Sequence, residues 1–382
     1  MYKGKLPTKH LLGESMLHLL FKNRFFNCQS HVKSSFCTIA LFIVTLFTSI
    51  LLQPSAIALA ATQIPTPQHV GNGTINAPNP SPQDIAITNE RHQLSKEYIQ
   101  VLHGKVLLAT YEQHLAAFMQ KNNLGNIENL HTVLTNGPRN KLQAANLSKN
   151  QNIIIPNLCP SVVVGNNLIT PNGGCPSSTG AAQFPEEHSN YCSNATIATM
   201  LVEDSFVWGG PVLQHNGDNI SYNRFVTSQP PSIALADETM LANNYLGNTW
   251  TPTAQNGAGP QAVLDTLNKF VVGHGGQYNT VFYGNVAGNF QNDLVTDINQ
   301  GWDLAGGLYI YEGQATLNGY QGHGNFDHWI PITFYTNGGS TTYYADPIYN
   351  APDYSGWAVP GPYTSTATSN LISILQRLGY IF

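Results

Sequence analysis

The chain has 382 residues, room for a targeting segment plus one sizeable domain or two small ones. Hydrophobic residues make up 42% and charged residues only 10%, a composition that can bury a core and is unlike that of a disordered chain. The net charge of −5 is unevenly spread: residues 151–382 carry three basic side chains (Arg224, Lys269, Arg377) against 15 acids, a net −12, which excludes nucleic acid as a partner and disfavours an acidic membrane surface there.

The N-terminus reads as an address. A basic stretch ending at Lys33 precedes an uncharged apolar run over 36–52, then Gln53-Pro54-Ser55 and the small-residue sequence Ala58-Leu59-Ala60-Ala61. That order predicts a secretory signal peptide over 1–60 with cleavage after Ala60, and no membrane attachment once it is removed; an uncleaved signal-anchor is the alternative. Residues 61–85 are rich in Pro and Asn and predict an extended linker. From 86 to 122 apolar residues recur at helical steps, Tyr98, Leu102, Val106 and Ala109 on one series and Leu108, Tyr111, Leu115 and Met119 on another.

Residues 62–150 carry a net +2, opposite in sign to residues 151–382, so a boundary is expected near Asn150. The helical region 86–150 thus precedes an acidic domain as a pro-segment would; a packing domain that never leaves is the alternative. Beyond it, 153–155 and 162–164 read as short strands. Helices are expected at 194–202, at 260–270 behind Pro260, and at 291–299. Strands are expected at 308–311, 329–335 and 341–345. Helices first and antiparallel strands last predict an α+β domain over 151–382 with an N-terminal helical extension.

Five cysteines sharpen the picture. Cys28 and Cys37 leave with the signal, and Cys159 and Cys175 flank a Gly/Asn/Pro-rich loop and are the natural disulfide pair outside the cell. Cys192 is then the odd thiol. A turn-rich polar segment leads to it and a helical stretch comes directly after, which puts the sulfur at a helix N-terminus, where N–H groups favour a thiolate. An imidazole partner is expected from His328, which begins a strand that leads through the turn Asn337-Gly338-Gly339 to a return strand ending at Asp346-Pro347. An odd-length loop would bring His328 and Asp346 to one sheet face, within reach of each other; a two-residue loop would separate them. Asp346 there would orient the imidazole. The Cys192 backbone N–H and the Gln183 side chain are the candidate oxyanion donors. His323 and His328 flank Asp327, but their spacing is not a helical metal spacing and no third ligand is evident.

The order Gln183…Tyr191-Cys192-x-x-Ala195…His328-Trp329…Tyr344-x-Asp346-Pro347 resembles the C39-like branch of papain-like cysteine peptidases. So do the Gly259-Pro260-Gln261-Ala262-Val263 helix start and the Trp357-to-Tyr363 segment. The resemblance covers about residues 181–382. It implies a papain-like fold, a helix carrying the cysteine packed on an antiparallel sheet carrying His and Asp. It also implies a Cys-His-Asp mechanism through an acyl-enzyme, a peptide or protein substrate, and neither metal nor cofactor. Ser193-Asn194 stand where that branch usually has Gly-Pro, directly beside the nucleophile. A transglutaminase-like protein with the same three residue types, and a secreted binding module using the aromatic residues of 329–363, are the competing readings.

Overall fold

A computed structural model of the protein describes residues 81–123, the strands 162–164 and 167–169, and most of 183–382. The expected signal peptide, most of the linker, the strand at 153–155 and the Cys159–Cys175 pair lie outside the described residues. Among the described residues no helix is long and apolar enough to cross a membrane.

Helix α1 (Pro82–Leu102) opens on a capping box: the Ser81 hydroxyl accepts the Asp84 N–H and the Asp84 carboxylate accepts the Ser81 N–H, each at 3.1 Å. Gly104, with φ of 70°, turns the chain out of the helix. Helix α2 (Leu108–Asn122) comes next and ends on Asn123 in the left-handed conformation. The stretch expected as one helical run is therefore two helices, with Val106 in the link between them. Their apolar faces meet in a cluster of their own, Leu94, Tyr98, Val101, Tyr111, Leu115 and Phe118 among its members.

Strands β1 (Val162–Val164) and β2 (Asn167–Ile169) form a small hairpin. Helix α3 (Cys192–Trp208) carries the candidate nucleophile as its first residue. After the two-residue strands β3 (Gln214–His215) and β4 (Asp218–Asn219) comes α4 (Pro231–Leu241), which runs on into a π-helical turn, Ala242–Leu246. Helix α5 (Pro260–Val271), strand β5 (Thr280–Val281) and helix α6 (Val286–Gln300) precede the long strands β6 (Leu304–Ile310), β7 (Phe326–Thr336) and β8 (Thr341–Ala345). Strand β9 (Tyr363–Ala367), helix α7 (Thr368–Leu375) and strand β10 (Tyr380–Ile381) complete the elements. The sheet is antiparallel throughout, in the order β5-β10-β6-β7-β8-β9. The domain is α+β, helix and antiparallel sheet together.

Both sheet faces are covered. Alternate residues of β6 and β7 point opposite ways: Ala305 and Trp329 join a cluster with α3, α4 and α5, while Leu304, Leu308, Ile330 and Ile332 join one with α6 and α7. Helices α1 and α2 lie in the same compact unit as the sheet. Helix α1 packs on α6, where Arg91 meets Asp297 at 3.0 Å and His92 meets Asp293 at 2.8 Å. From α2, the Tyr111 hydroxyl accepts the Gln300 amide at 2.7 Å.

The β7–β8 hairpin sets the register that matters for the site. Thr336 faces Thr341, leaving four residues, 337–340, in the loop. An even-length loop by itself would put positions 328 and 346 on opposite faces. The bulge between Ile332 and Phe334 restores the phase: Ile332 faces Tyr344, so position 346 comes opposite Ile330, one diagonal from His328 and on its face.

Candidate functional site

Cys192 enters the site because the segment before it is strapped down on both sides. The Gln183 amide donates to the Asp346 carbonyl at 2.8 Å and to the Tyr349 carbonyl at 3.2 Å. The Glu186 N–H donates to the Pro347 carbonyl at 2.7 Å, and the Phe184 N–H to the Thr199 hydroxyl at 3.2 Å. Both amide hydrogens of Gln183 are thus spent on the loop that carries Asp346. The expected oxyanion role of Gln183 has no free N–H to perform it; the residue ties the two halves of the site together.

Ser193 and Asn194 are buried and held in a polar network. Asn248 donates to the Asn194 side-chain oxygen at 2.7 Å, Asn194 donates to the Glu238 carbonyl at 2.8 Å, and Asn190 donates to the Asn248 carbonyl at 2.8 Å. The pair is therefore cross-linked to its surroundings, and α3 starts from a fixed position.

At that position one donor atom each of Cys192, His328 and Glu186 lie within 4.8 Å of one another, and all three residues are buried. His328 sits on β7 opposite Leu308, and its Nδ1 is 3.9 Å from Glu186 Oε2. The Trp329 and Ser193 backbone N–H groups favour the thiolate form of Cys192, and those of Cys192 and Tyr191 favour the Glu186 carboxylate, each against the larger effect of burial. The donor types would suit zinc: among the described residues no fourth Cys, His, Asp or Glu joins the trio to close a structural site, while three protein ligands match the count of an open, catalytic one.

Asp346 stands on the same face as His328 and is not bonded to it. One carboxylate oxygen accepts the Tyr320 hydroxyl at 2.8 Å and the Ile348 N–H at 3.0 Å; its other oxygen, like His328 Nε2, has no hydrogen-bond partner. The reason is the diagonal register, which separates such positions by roughly 7–8 Å. Tyr320 occupies the space, with its ring 5.8 Å from the His328 ring. Tyr320 thus bonds to Asp346 and stands beside the His328 ring. His323 stacks on Trp357 at 3.8 Å and takes no part in the trio.

Burial dominates the electrostatics. It pushes the Cys192 thiol well above its usual range, with the nearby Glu186 charge acting in the same direction against the two backbone N–H groups. It pushes His328 down to about 3 and Asp346 up to about 7. Burial also holds Glu186 well above the usual carboxylate range, over the opposing hydrogen bonds from Tyr354 and the backbone. A helix N-terminus is worth roughly 0.3–1 kcal/mol to an anion, against the several pKa units that full burial takes from one. Burial therefore favours thiol and neutral imidazole over a preformed ion pair.

Glu186 is the member of the trio that sequence reasoning misses. It sits in the polar run Glu186-Glu187-His188-Ser189-Asn190, which reads as a solvated turn and does not set it apart from Glu187. No protein-family model matches the chain, and no curated protein matches it.

Proposed function

We propose that the chain is a secreted cysteine hydrolase of the C39-like, papain-like kind. It cleaves peptide-like amide bonds through an acyl-enzyme on Cys192. The observation that carries this reading is the meeting of the Cys192 sulfur with a His328 ring nitrogen at the first turn of α3, inside a site fixed by Gln183 and the Asn190–Asn194–Asn248 network. His328, neutral at rest, takes the thiol proton as the sulfur attacks the carbonyl carbon and returns it to the departing amine. Asp346 is a positioning residue, holding Tyr320 against the imidazole.

A non-enzymatic binding module is the second reading, and one observation favours it: the thiol is buried and its pKa is raised, as in an inert core cysteine. Labelling of the purified protein with a peptidyl acyloxymethyl ketone, together with hydrolysis of denatured casein, separates the two. The hydrolase reading expects single labelling lost in Cys192→Ala, and casein turnover lost in Cys192→Ala and His328→Ala. Equal labelling in Cys192→Ala, or full turnover in His328→Ala, would sink it.

A further inference from the structure

A hydrolase of this kind has to stabilise the negative oxygen that forms when the sulfur attacks, and the expected donor, Gln183, has no N–H to spare. What the site does contain is a buried carboxyl with an idle oxygen. Glu186 is fully buried, its Oε2 has no hydrogen-bond partner, and that oxygen lies 3.9 Å from His328 Nδ1. The other oxygen, Oε1, accepts the Tyr354 hydroxyl at 3.4 Å. Glu186, Cys192 and His328 each bring a donor atom within 4.8 Å of the others, so the carboxyl stands beside both nucleophile and base.

We propose that Glu186 is the oxyanion donor of this site, acting as a neutral carboxyl whose O–H bonds to the carbonyl oxygen of the substrate as Cys192 attacks. The proposal rests on the cysteine-hydrolase reading above. In the step itself the Cys192 S–H proton passes to His328, the S–C bond forms, and the carbonyl π pair moves onto oxygen. That oxygen accepts the Glu186 O–H. The pair then returns, the bond to the leaving group breaks, and the proton on His328 goes to the leaving group. Water repeats the sequence to release the acid. The Glu186 proton stays on Glu186 throughout.

The surroundings favour the neutral form. The groups facing Glu186 are Asp353 and Tyr354 from the 352–354 turn, Glu238 from α4, Tyr320 from the loop before β7, Cys192 from α3, and His328 from β7. None brings a fixed positive charge, and burial disfavours the carboxylate. An ionised Glu186 would also oppose the thiolate it sits beside.

The alternative role for the same side chain is a charged carboxylate that orients and charges His328. Glutamine separates the two, because it keeps a donor of the same length and cannot ionise. The test measures kcat and KM for p-nitrophenyl acetate across pH 5–10 in the full-length protein, in Glu186→Gln and in Glu186→Ala, with the acylation burst recorded for each. The donor role expects Glu186→Ala to lose about 10²–10³-fold in kcat with KM little changed. It expects Glu186→Gln to lose less than tenfold, and the wild-type fall in kcat at alkaline pH to disappear in Glu186→Gln. Equal losses in Glu186→Gln and Glu186→Ala, or identical alkaline limbs in wild type and Glu186→Gln, would overturn it. If Glu186→Ala does not fold, the pH profiles of wild type and Glu186→Gln decide alone. Wild type with no burst at Cys192 would overturn the hydrolase reading itself, whereas a full burst and turnover in Glu186→Ala would overturn only the role given to Glu186.

Discussion

Acidification from pH 7 to pH 5 is expected to stabilise this fold, because the protein buries carboxyls that prefer to be neutral. Asp346 ionises near 3.9 when unfolded and at about 7 when folded. With the folded pKa raised, the stabilisation is complete below the unfolded pKa and is lost as the pH rises through the folded one. At roughly 1.4 kcal/mol per pH unit, Asp346 alone contributes about 2–3 kcal/mol over this window. His328 acts against it. Its folded pKa of about 3 lies below the unfolded value near 6.5, so between pH 6.5 and pH 5 the unfolded state gains a proton that the folded state refuses. That costs about 2 kcal/mol. The two nearly offset, and the decision falls to Glu186, Asp204, Glu238 and Asp303. All four are buried and raised well above the usual range by burial, and all carry the sign of Asp346. The net gain should lift the melting temperature by several degrees, at about 2–4 °C per kcal/mol for a domain of this size. Melting curves at pH 5, 6, 7 and 8 and constant ionic strength measure it. Asp346→Asn should raise the melting temperature at pH 7–8 and flatten the profile. A melting temperature that falls steadily from pH 7 to pH 5 would refute the reasoning, since the buried carboxyls would then be stabilised as anions.

Three further outcomes are expected. Arg91→Ala leaves Asp297 buried without its partner and should destabilise by about 3–5 kcal/mol in urea titration, with much of the loss recovered in Arg91→Ala/Asp297→Asn. Gly307→Ala on β6 puts a Cβ 2.7 Å from the Leu378 Cβ and 3.1 Å from the Trp329 ring, and by overpacking should cost about 1–3 kcal/mol. A chain starting at residue 150 loses both Arg91 and His92 from the buried acids of α6, and should melt well below the full-length protein; an unchanged melting temperature with higher activity would instead mark 86–150 as a removable pro-segment.

The regular elements are the legible part of this sequence. Strand β8 runs over the residues its alternation predicts, and α5 starts on the expected Pro260, because both carry a strong local signal. The starts of α6 and β6 are harder to read: α6 begins at Val286 and β6 at Leu304, where Gly288, Gly306 and Gly307 dilute the pattern that packing then overrides. Helix α4 buries Asp237 and Glu238 and so shows no clean apolar stripe, although Pro230-Pro231 announces its start. Within the site, Cys192 can be found because its chemistry coincides with its place at a helix start, and His328 because it stands near the start of a clear strand, two residues inside β7 and not at its first position. Glu186 cannot, since a carboxyl in a polar turn reveals nothing of the burial imposed by segments far along the chain. The relation of Asp346 to His328 depends on a bulge, and one residue of bulge changes which face a side chain takes.

Strand β10 comes after every other described strand in the sequence, yet it lies inside the sheet, with β5 on one side and β6 on the other. Phe382 beside it is buried, stacks on His92 at 5.3 Å and receives the Arg91 guanidinium at 5.1 Å. During synthesis, then, β5 and β6 emerge with nothing between them, and α1 emerges long before the ring it will rest on. Local hairpins such as β7–β8 can close early, but the sheet must wait for residue 381, and pairings this distant in sequence form slowly. Until then the nascent chain presents open strand edges, the surface on which aggregation and chaperone capture compete.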